Sequence, residues 1–514
     1  MTMRLSRRHR LAMQEVAIWV RRMSRRHWLL LVVLGLAAAL RVMVLLAYQP
    51  ALIFPDSERY LQYAQNFING HWSPDWLRTS GYSLLLIPAV LLHNLTVVAA
   101  GQHLLGLATA VLIYAVLLRF GTSRWIAVLA TLPVLFDPLQ LIIEEYVLTD
   151  ASATFLLVVA LVVLVWKRGE IGKVAPAVTG LLLAAATLIR EPDLVVALAA
   201  AGYLAAAVRP WRQFAIRAGL LLAGFALPVL GYLGWYQVAN GQFSFVSYNS
   251  EFLYGRIAQF ADCAGVPMPD YERALCPRQP PAQRYPSFYM WAPQSPQVAF
   301  EPPPGVSKEG AIGNFDRQII EHQPLAYLKA VANDTIYSFS PVRRNGPENY
   351  PVTYLQFQPG YQPDWQAIEA LRTYTGGGAH TQPALASFLT GYGRHVWTPG
   401  PLLAAGLALG AAGMAGLSRR ARRSQLRAPC LLFTLAAVAT VVPPFLVATF
   451  DWRYELPQLS LIPIAAVLGA RALSAGGQDQ PASGDEPCTR TRPPRRERGR
   501  SRRRQAERQP ALHA

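Results

Sequence analysis

The segment Trp28–Tyr48 contains about twenty apolar residues in one run that only Arg41 interrupts. A run of this length is enough to cross a bilayer whose hydrocarbon core is about 30 Å thick. Further apolar runs follow at 100–119, 125–143, 151–166, 173–190, 193–208, 214–236, 396–417, 428–449 and 455–475. Because a chain that crosses lipid must satisfy its backbone hydrogen bonds internally, we predict an all-α polytopic membrane protein with about ten transmembrane helices.

The charge of the chain agrees with this fold class. The 514 residues carry a formal net charge of +18, yet only 15% are charged and 52% are hydrophobic. The basic residues lie between and beyond the apolar runs, as in Arg119/Arg124, Lys167/Arg168/Lys173, Arg209/Arg212/Arg217 and 418–427. This placement is typical of cytoplasmic flanks that orient a membrane protein. We therefore expect membrane lipids as partners, no nucleic acid, and both termini inside the cell.

One apolar run is too short to span. Leu84–Leu92 contains Pro88 and is followed by His93 and Asn94, so we predict an interfacial or re-entrant helix there. With this run excluded from the count, all the basic loops named above fall on the cytoplasmic side. Counting it as a span would invert them.

These boundaries predict five regions. They are a basic cytoplasmic N-terminal segment at 1–27; a transmembrane module at 28–236 with a long first exterior loop at 49–99; an extracytoplasmic domain at 237–395, of α/β or irregular form; C-terminal transmembrane helices at 396–475; and a disordered basic cytoplasmic tail at 476–514. Cys263 and Cys276 share the polar domain and are able to form a disulfide if it lies outside the cytoplasm.

Acidic and basic residues collect at the exterior ends of distant spans. The heptapeptide FPDSERY at 54–60 stands directly after the first span, where charged groups are costly and therefore point to function. An acid can take a proton from a nucleophile or hold a metal ion, and the arginine fork matches a phosphate oxyanion. The converging residues are Asp56, Glu58, Arg59, Glu144, Glu145, Asp150, Arg190, Glu191, Asp193, Asp451, Arg453 and Glu455.

Structural roles remain open for several of these residues. Asp56 is also suited to cap the helix predicted for SERYLQYA, and Asp150 stands where an acid favours a helix dipole. Arg78 is able to extend to lipid headgroups. His71, His93 and His103 have no metal-binding spacing, and the small-residue run Gly406–Gly416 fits helix packing better than phosphate binding.

Several motifs occur in an order that resembles a known superfamily. They are FPDSERY, then Arg78 with Gly81-Tyr82, then VLTD at 147–150, and finally Arg453-Tyr454 with Pro457. With the hydropathy profile, this order resembles the GT-C superfamily of polyprenyl-phosphate-sugar glycosyltransferases. It is most similar to the group that includes lipid A aminoarabinose transferases and protein O-mannosyltransferases. The resemblance covers residues 28–200 best, the last spans weakly, and the 237–395 domain not at all.

The resemblance implies roles for four residues. Asp56 would activate the acceptor, Arg59 would contact the lipid phosphate, Asp150 would support the site or a divalent ion, and Arg453 would approach the active-site cavity. The chain departs from the family in two places. Ser57 follows Asp56 where the family often has a second acid, and Arg78-Thr79-Ser80 stands where the aminoarabinose enzymes carry an acid and a lysine.

The resulting hypothesis is an inverting hexosyl- or pentosyltransferase of the bacterial cytoplasmic membrane. It would move a sugar from a polyprenyl phosphate to an acceptor hydroxyl on a cell-envelope glycan, glycolipid or protein, on the extracytoplasmic side. Asp56 and Asp150 are the predicted catalytic acids, and Arg59, Arg78, Arg190 and Arg453 the predicted phosphate ligands. Supporting roles are predicted for Glu58, Tyr60, Glu145 and Tyr454.

Two other functions and the metal requirement remain open from sequence. A lipid-linked glycan flippase would use the same charged residues without chemistry, although the internal repeat expected of many transporters is not evident. A non-catalytic envelope assembly protein would use the 237–395 domain to bind a partner. Mg²⁺ or Mn²⁺ is compatible with the acids, but the sequence shows no ligand set.

Overall fold

The computed structural model describes residues 7–167, 170–346 and 351–474, with side chains from residue 25 onward. This part of the chain is mainly helical with almost no strand, which confirms the all-α class. Its α-helices are α1 Arg7–Ala47, α2 Ser57–Ile68, α3 Gly81–Leu91, α4 Thr96–Arg119, α5 Arg124–Leu129, α6 Leu132–Phe136, α7 Pro138–Glu145, α8 Asp150–Val165, α9 Val174–Ile189, α10 Val196–Ala207, α11 Trp211–Asn240, α12 Asn249–Ile257, α13 Pro286–Trp291, α14 Pro296–Ala299, α15 Lys308–His322, α16 Pro324–Tyr337, α17 Trp365–Thr375, α18 Pro383–His395, α19 Gly400–Ala415, α20 Arg419–Arg423, α21 Arg427–Val447 and α22 Leu456–Ser474.

The number of helices able to span a membrane is smaller than predicted. Five segments among the described residues are long and apolar enough: Arg25–Ala47, Thr96–Arg119, Trp211–Asn240, Arg427–Val447 and Trp452–Ser474. A sixth is obtained if α18 and α19, which meet at a 54° bend, form one span. The predicted count of about ten is therefore not confirmed, although the multi-pass character is.

The remaining predicted spans are shorter or broken. The run at 125–143 forms three helices, α5 to α7, because Pro133 and Pro138 lack the N–H that an uninterrupted helix needs. Helices α8 and α9 are apolar but only 16 residues long, and α10 has 12 residues after a 3-10 turn at Glu191–Val195. The short run near 84–92 is an 11-residue apolar helix, α3.

Small residues allow the helices to pack closely. On α9 and α11, a Cβ at Gly180 would lie 2.2 Å from Leu221 O, and one at Gly224 would lie 2.4 Å from Ala177 O. On α22, a Cβ at Gly469 would lie 2.1 Å from Leu409 O of α19. The small-residue run of α19 thus packs against a neighbouring helix, as the sequence indicated.

The 237–395 segment consists of helices joined by irregular connections, so its described residues do not show the predicted α/β form. Its own apolar core packs α12 against α15 and contains Tyr254, Ile312 and Phe315. Cys263 and Cys276 form a disulfide at its edge. The described strands are the two-residue pair β1 Tyr48–Gln49 and β2 His380–Thr381, which joins this segment to the end of α1.

Two clusters of charge lie at opposite ends of the same helices. Helix α8 begins at Asp150 and ends near Trp166, where Arg119 donates a hydrogen bond to the carbonyl of Trp166. Helix α9 follows Lys173 and ends before Arg190. Helix α22 begins after Arg453 and has Arg471 in its last turn. The predicted basic loops and the predicted acidic site are therefore separated by the length of the helices. The predicted tail and Cys488 lie outside the described residues.

Candidate active site

The first loop is fixed to the segment before α8. Leu52 and Tyr146 form a parallel β-bridge, in which Leu52 N–H donates to Glu145 O at 3.1 Å and Val147 N–H donates to Leu52 O at 3.0 Å. Ser57 Oγ accepts from Phe54 N–H and donates to Val147 O, both at 2.8 Å. Ser57, which replaces the family's second acid, therefore connects FPDSERY to VLTD.

Asp56 lies between two arginines from distant parts of the chain. Arg78 Nη2 donates to Oδ1 at 2.7 Å, and Arg453 Nη1 donates to Oδ2 at 3.1 Å. Asp56 stands at the N-cap position of α2, but its side chain makes no capping hydrogen bond. The capping alternative is therefore not its role in this structure. All three side chains are between 15% and 18% exposed, so a ligand can reach them.

A second acid–arginine group stands beside the first. Asp150, the first residue of α8, pairs with Arg190 Nε at 3.3 Å, and Arg190 Nη1 donates to Asp193 at 2.9 Å. The Tyr454 ring lies 5.2 Å from the Arg190 guanidinium and 5.5 Å from that of Arg453, which connects the two groups. Arg190 Nη2 is buried and has no hydrogen-bond partner among the described residues. This Nη2 group is therefore a hydrogen-bond donor without an acceptor among the described residues.

Aromatic side chains surround these charges. Tyr60 is buried with its ring edge-on to Tyr82, at 5.1 Å between centroids. The guanidinium of Arg78 lies 5.2 Å from the Phe252 ring, and that of Arg453 lies 5.3 Å from the Phe54 ring. Since Phe252 belongs to α12, the 237–395 segment contributes to the wall of the site. Phe252 is not predicted from the sequence, because nothing in the sequence links it to the motifs.

Arg59 forms its ion pair with Asp75. Its Nε and Nη2 donate to both oxygens of Asp75, at 2.5 to 2.8 Å, and its guanidinium lies 4.5 Å from the Trp76 ring. The Arg59 guanidinium already has a carboxylate partner, so this geometry does not itself show a contact with phosphate. The expected phosphate contact of Arg59 stays a prediction. Asp75 is not among the residues that the sequence predicts for the site. The only indication in the sequence is that Asp75 is an acid within the predicted first exterior loop. Glu58, in the first turn of α2, makes no ion pair with the described residues.

Glu144 and Glu145 belong to a separate buried cluster. Arg41 donates to both oxygens of Glu144, at 2.9 and 3.0 Å. His103 contacts Glu144 through Nδ1 at 2.7 Å and Glu145 through Nε2 at 2.9 Å. A Cβ at Gly106 would lie 1.8 Å from Glu144 Oε1, so this position needs glycine. The cluster fixes the end of α7, which pairs with Leu52, and so positions the loop that carries Asp56.

Arg343, from the 237–395 segment, forms a further ion-pair group next to the site. Arg343 Nη1 and Nη2 donate to the two oxygens of Asp137 at 2.7 and 3.1 Å, and its Nε donates to Glu455 at 2.9 Å. Asp137 also caps α7 and accepts from Thr398 N–H at 2.7 Å. Glu455, expected at the converging ends, therefore has a structural partner next to Tyr454.

Burial and ion pairing change the acidity of these groups. Burial opposes ionisation of Asp56, but Arg78 and Arg453 outweigh it and hold the pKa of this carboxyl well below its usual range. In the 3-10 turn, burial raises the pKa of Glu191 to about 7 against the opposing charge of Arg78. Burial likewise raises the pKa of Asp193 to about 6, against the charge of Arg190.

A divalent ion does not fit this arrangement. Among the described residues, no group of three or more His, Cys, Asp or Glu side chains is arranged to hold a metal ion. Asp56 and Asp150, the acids expected to support one, are each paired with arginine. We therefore derive no step through a metal.

Comparison with known proteins agrees with the resemblance found in the motifs. Residues 88–244 match the model of the dolichyl-phosphate-mannose-protein mannosyltransferase family. This match covers less than a third of the chain; it includes Asp150 and Arg190 but not Asp56, Arg78 or Arg453. It confirms the resemblance to GT-C glycosyltransferases over this part of the chain.

One solved structure is also similar. It is the archaeal oligosaccharyltransferase AglB from Archaeoglobus fulgidus, in complex with an inhibitory peptide and a dolichol-phosphate, at 14% sequence identity and a TM-score of 0.42. The alignment covers 87% of this chain, which spans about half the length of that protein, 50%. No curated protein matches the chain significantly by sequence.

Proposed function

We propose that this protein transfers a sugar from a polyprenyl monophosphate to an acceptor hydroxyl. The observation that carries the proposal is the arrangement of three arginines, Arg78, Arg190 and Arg453, around Asp56 and Asp150. A site that binds an anionic leaving group and removes a proton needs both charges close together. The match to the mannosyltransferase family supports a lipid-phosphate sugar as the donor.

The three arginines bind the phosphate of the donor. Arginine presents a planar fork of donors that suits phosphate oxygens, and it remains charged at any physiological pH. Arg190 supplies the buried Nη2 that no described residue accepts from. As the bond to the sugar breaks, negative charge grows on the phosphate, and guanidiniums already in place stabilise it without reorganisation.

Asp56 takes the proton of the acceptor. Without a ligand, its two arginine partners lower its affinity for a proton, which makes it a weak base. We propose that the donor phosphate draws Arg78 and Arg453 into hydrogen bonds of its own. Asp56 then loses part of its neutralising charge and becomes more basic. The base is thus activated only when the donor is bound, which disfavours reaction without it.

The chemical step is a single displacement. The acceptor oxygen attacks the anomeric carbon from the face opposite the phosphate while the bond between that carbon and the phosphate oxygen breaks. The acceptor proton moves to the Asp56 carboxylate, and polyprenyl monophosphate leaves. The configuration of the anomeric carbon is therefore inverted. Asp150 holds Arg190 in position for the departing phosphate.

We place this reaction on the extracytoplasmic side of the bacterial cytoplasmic membrane. The basic loops at the opposite ends of α4, α8, α9 and α22 support this orientation, because such loops remain in the cytoplasm. The 237–395 segment would then lie outside, where a disulfide is stable. The acceptor is an envelope glycan, glycolipid or protein.

A transfer assay tests the proposal. Purified full-length protein in nanodiscs is incubated with mannosyl or arabinosyl polyprenyl monophosphate and envelope extract. We expect labelled sugar on an acceptor and an equal amount of polyprenyl monophosphate. Movement of the lipid between leaflets without cleavage would instead identify a flippase. If neither transfer nor lipid movement is observed, an assembly role would remain.

A further inference from the structure

A second candidate binding site lies at the basic end of the bundle. A cavity of about 650 Å³ opens between the start of the first span, the end of α4 and α5. None of its lining residues belongs to the site described above. Those that carry the argument are Arg25, Arg26, His27, Trp28, Arg124 and Trp125.

The cavity has positive charge that no described acidic side chain neutralises. Arg25, Arg26 and Arg124 contribute three guanidiniums, and the lining contains no aspartate or glutamate. Among the side chains that the structure describes, none forms an ion pair with these three arginines. Three like charges at one cavity repel each other, and an anion placed between them removes this cost. The chemistry of the cavity therefore calls for an anion.

The other part of the lining is apolar. Trp28 and Trp125 are 61% and 59% exposed. Trp28 stands near the start of the first span and Trp125 near the start of α5, and tryptophan at the end of a span occupies the headgroup level of a bilayer. Leu29, Leu118 and Val128 continue the wall toward the hydrocarbon region. A ligand that is anionic at one end and apolar at the other matches this surface better than a soluble anion does.

The wall of the cavity is fixed before a ligand arrives. His27 Nδ1 and the Tyr114 hydroxyl lie 2.7 Å apart, and their rings meet edge-on. His27 is also the one residue of α1 with non-helical dihedral angles, φ −119° and ψ 19°, so α1 bends there. The bend and the contact with α4 hold Arg26 and Trp28 against α5.

We propose that this cavity binds the phosphate headgroup of an anionic membrane phospholipid, with its acyl chains along the apolar wall. The lipid would fix the start of α1 to α4 and α5. Basic pockets between helices at the cytoplasmic face are suited to such headgroups.

Native mass spectrometry of the full-length protein tests the proposal. Protein from nanodiscs of phosphatidylcholine with added phosphatidylglycerol is delipidated stepwise, and the lipids that stay bound are counted. We expect one phosphatidylglycerol to remain when phosphatidylcholine has been lost, and a higher unfolding temperature when phosphatidylglycerol is present. Equal retention of both lipids by the wild-type protein would overturn the proposal, as would displacement of the lipid by millimolar inorganic phosphate.

Matched variants locate the bound lipid. The double change Arg26→Gln with Arg124→Gln should weaken retention of phosphatidylglycerol roughly 30-fold, and Arg124→Lys should keep it. Arg372→Gln with Arg394→Gln removes the same charge from exposed positions in α17 and α18 and should have no effect. Unchanged retention in the first variant would contradict the site. If that variant fails to fold, the comparison of lipids on the wild-type protein still decides.

Discussion

The Asp56 carboxylate accepts a hydrogen bond from Arg453 Nη1 at 3.1 Å, although 397 positions separate the two residues in the sequence. Asp56 follows the first span and Arg453 lies at the start of the last one, so the contact joins the first span to the last. Arg78 binds the other oxygen of the same carboxylate. A donor phosphate entering this site therefore meets two guanidiniums already held in place.

Replacing Arg453 by lysine tests the phosphate site. Lysine keeps the charge but has no planar fork, so it cannot reach both Asp56 and a phosphate in the same way. We expect the KM for the polyprenyl phosphate donor to rise roughly tenfold, which corresponds to the loss of one charged hydrogen bond. Initial rates against donor concentration measure this, with the exposed Arg372→Lys as the control. An unchanged KM would exclude Arg453 from donor binding.

Arg190→Lys tests the buried donor. The change removes Nη2, together with contacts to Asp150 and Asp193. We expect kcat/KM to fall roughly 10- to 100-fold while the exposed Arg394→Lys stays like wild type. Single-turnover rates and thermal unfolding on the same samples separate the two effects. Loss of activity in proportion to loss of folded protein would point to a structural role alone.

The sequence predicted the members of the site better than their partners. The sequence predicts Asp56, Asp150, Arg190 and Arg453 because charged residues at the ends of apolar runs are costly and stand out, and Tyr454 through the Arg453-Tyr454 motif. Their pairing was not visible, since it depends on which helix ends meet. Arg59 is an example of this limit. It lies close to Asp56 in the sequence, but its side chain pairs with Asp75.

The predicted span count is not confirmed for a related reason. Hydropathy counts apolar residues, and it cannot tell a helix that crosses lipid from short helices buried against protein. The run at 125–143 is apolar along most of its length but folds as α5, α6 and α7. The acids at its end were expected near the substrate. They instead form the buried cluster with Arg41 and His103, for which the sequence predicts no role at the site.

Arg41→Met tests that cluster. The change leaves Glu144 buried without the two hydrogen bonds from Arg41, and a buried pair that loses one member typically costs roughly 3–5 kcal/mol. We expect a lower free energy of unfolding and reduced transfer, because the end of α7 positions the Asp56 loop. Denaturant titration measures the first, with the exposed Arg372→Met as the control. Stability within about 1 kcal/mol of wild type would show that the pair contributes little.

Glu191 should make stability depend on pH. Its pKa is about 7 in the folded protein and 4.5 as a free side chain, so between these values only the native state keeps the proton. The free energy of unfolding should therefore fall as pH rises from 4.5 to 7 and stay at the lower value above pH 7.

The Glu191→Gln variant checks this assignment. It should have a smaller slope of unfolding temperature against pH across that range, while Asp193, whose pKa is about 6, keeps part of it. Unfolding temperatures at pH 5, 6, 7 and 8 give the comparison. An identical slope in both proteins would contradict the raised pKa of Glu191.

The transfer rate of Asp56→Asn tests the role of Asp56 as the base most directly. Asparagine has nearly the same shape as aspartate but cannot take a proton, so single-turnover transfer should fall roughly 10²- to 10⁴-fold with the protein still folded. Asp270→Asn, at an exposed position, is the matched control and should react like wild type. A rate for Asp56→Asn within about twofold of wild type would contradict the central claim that Asp56 is the base.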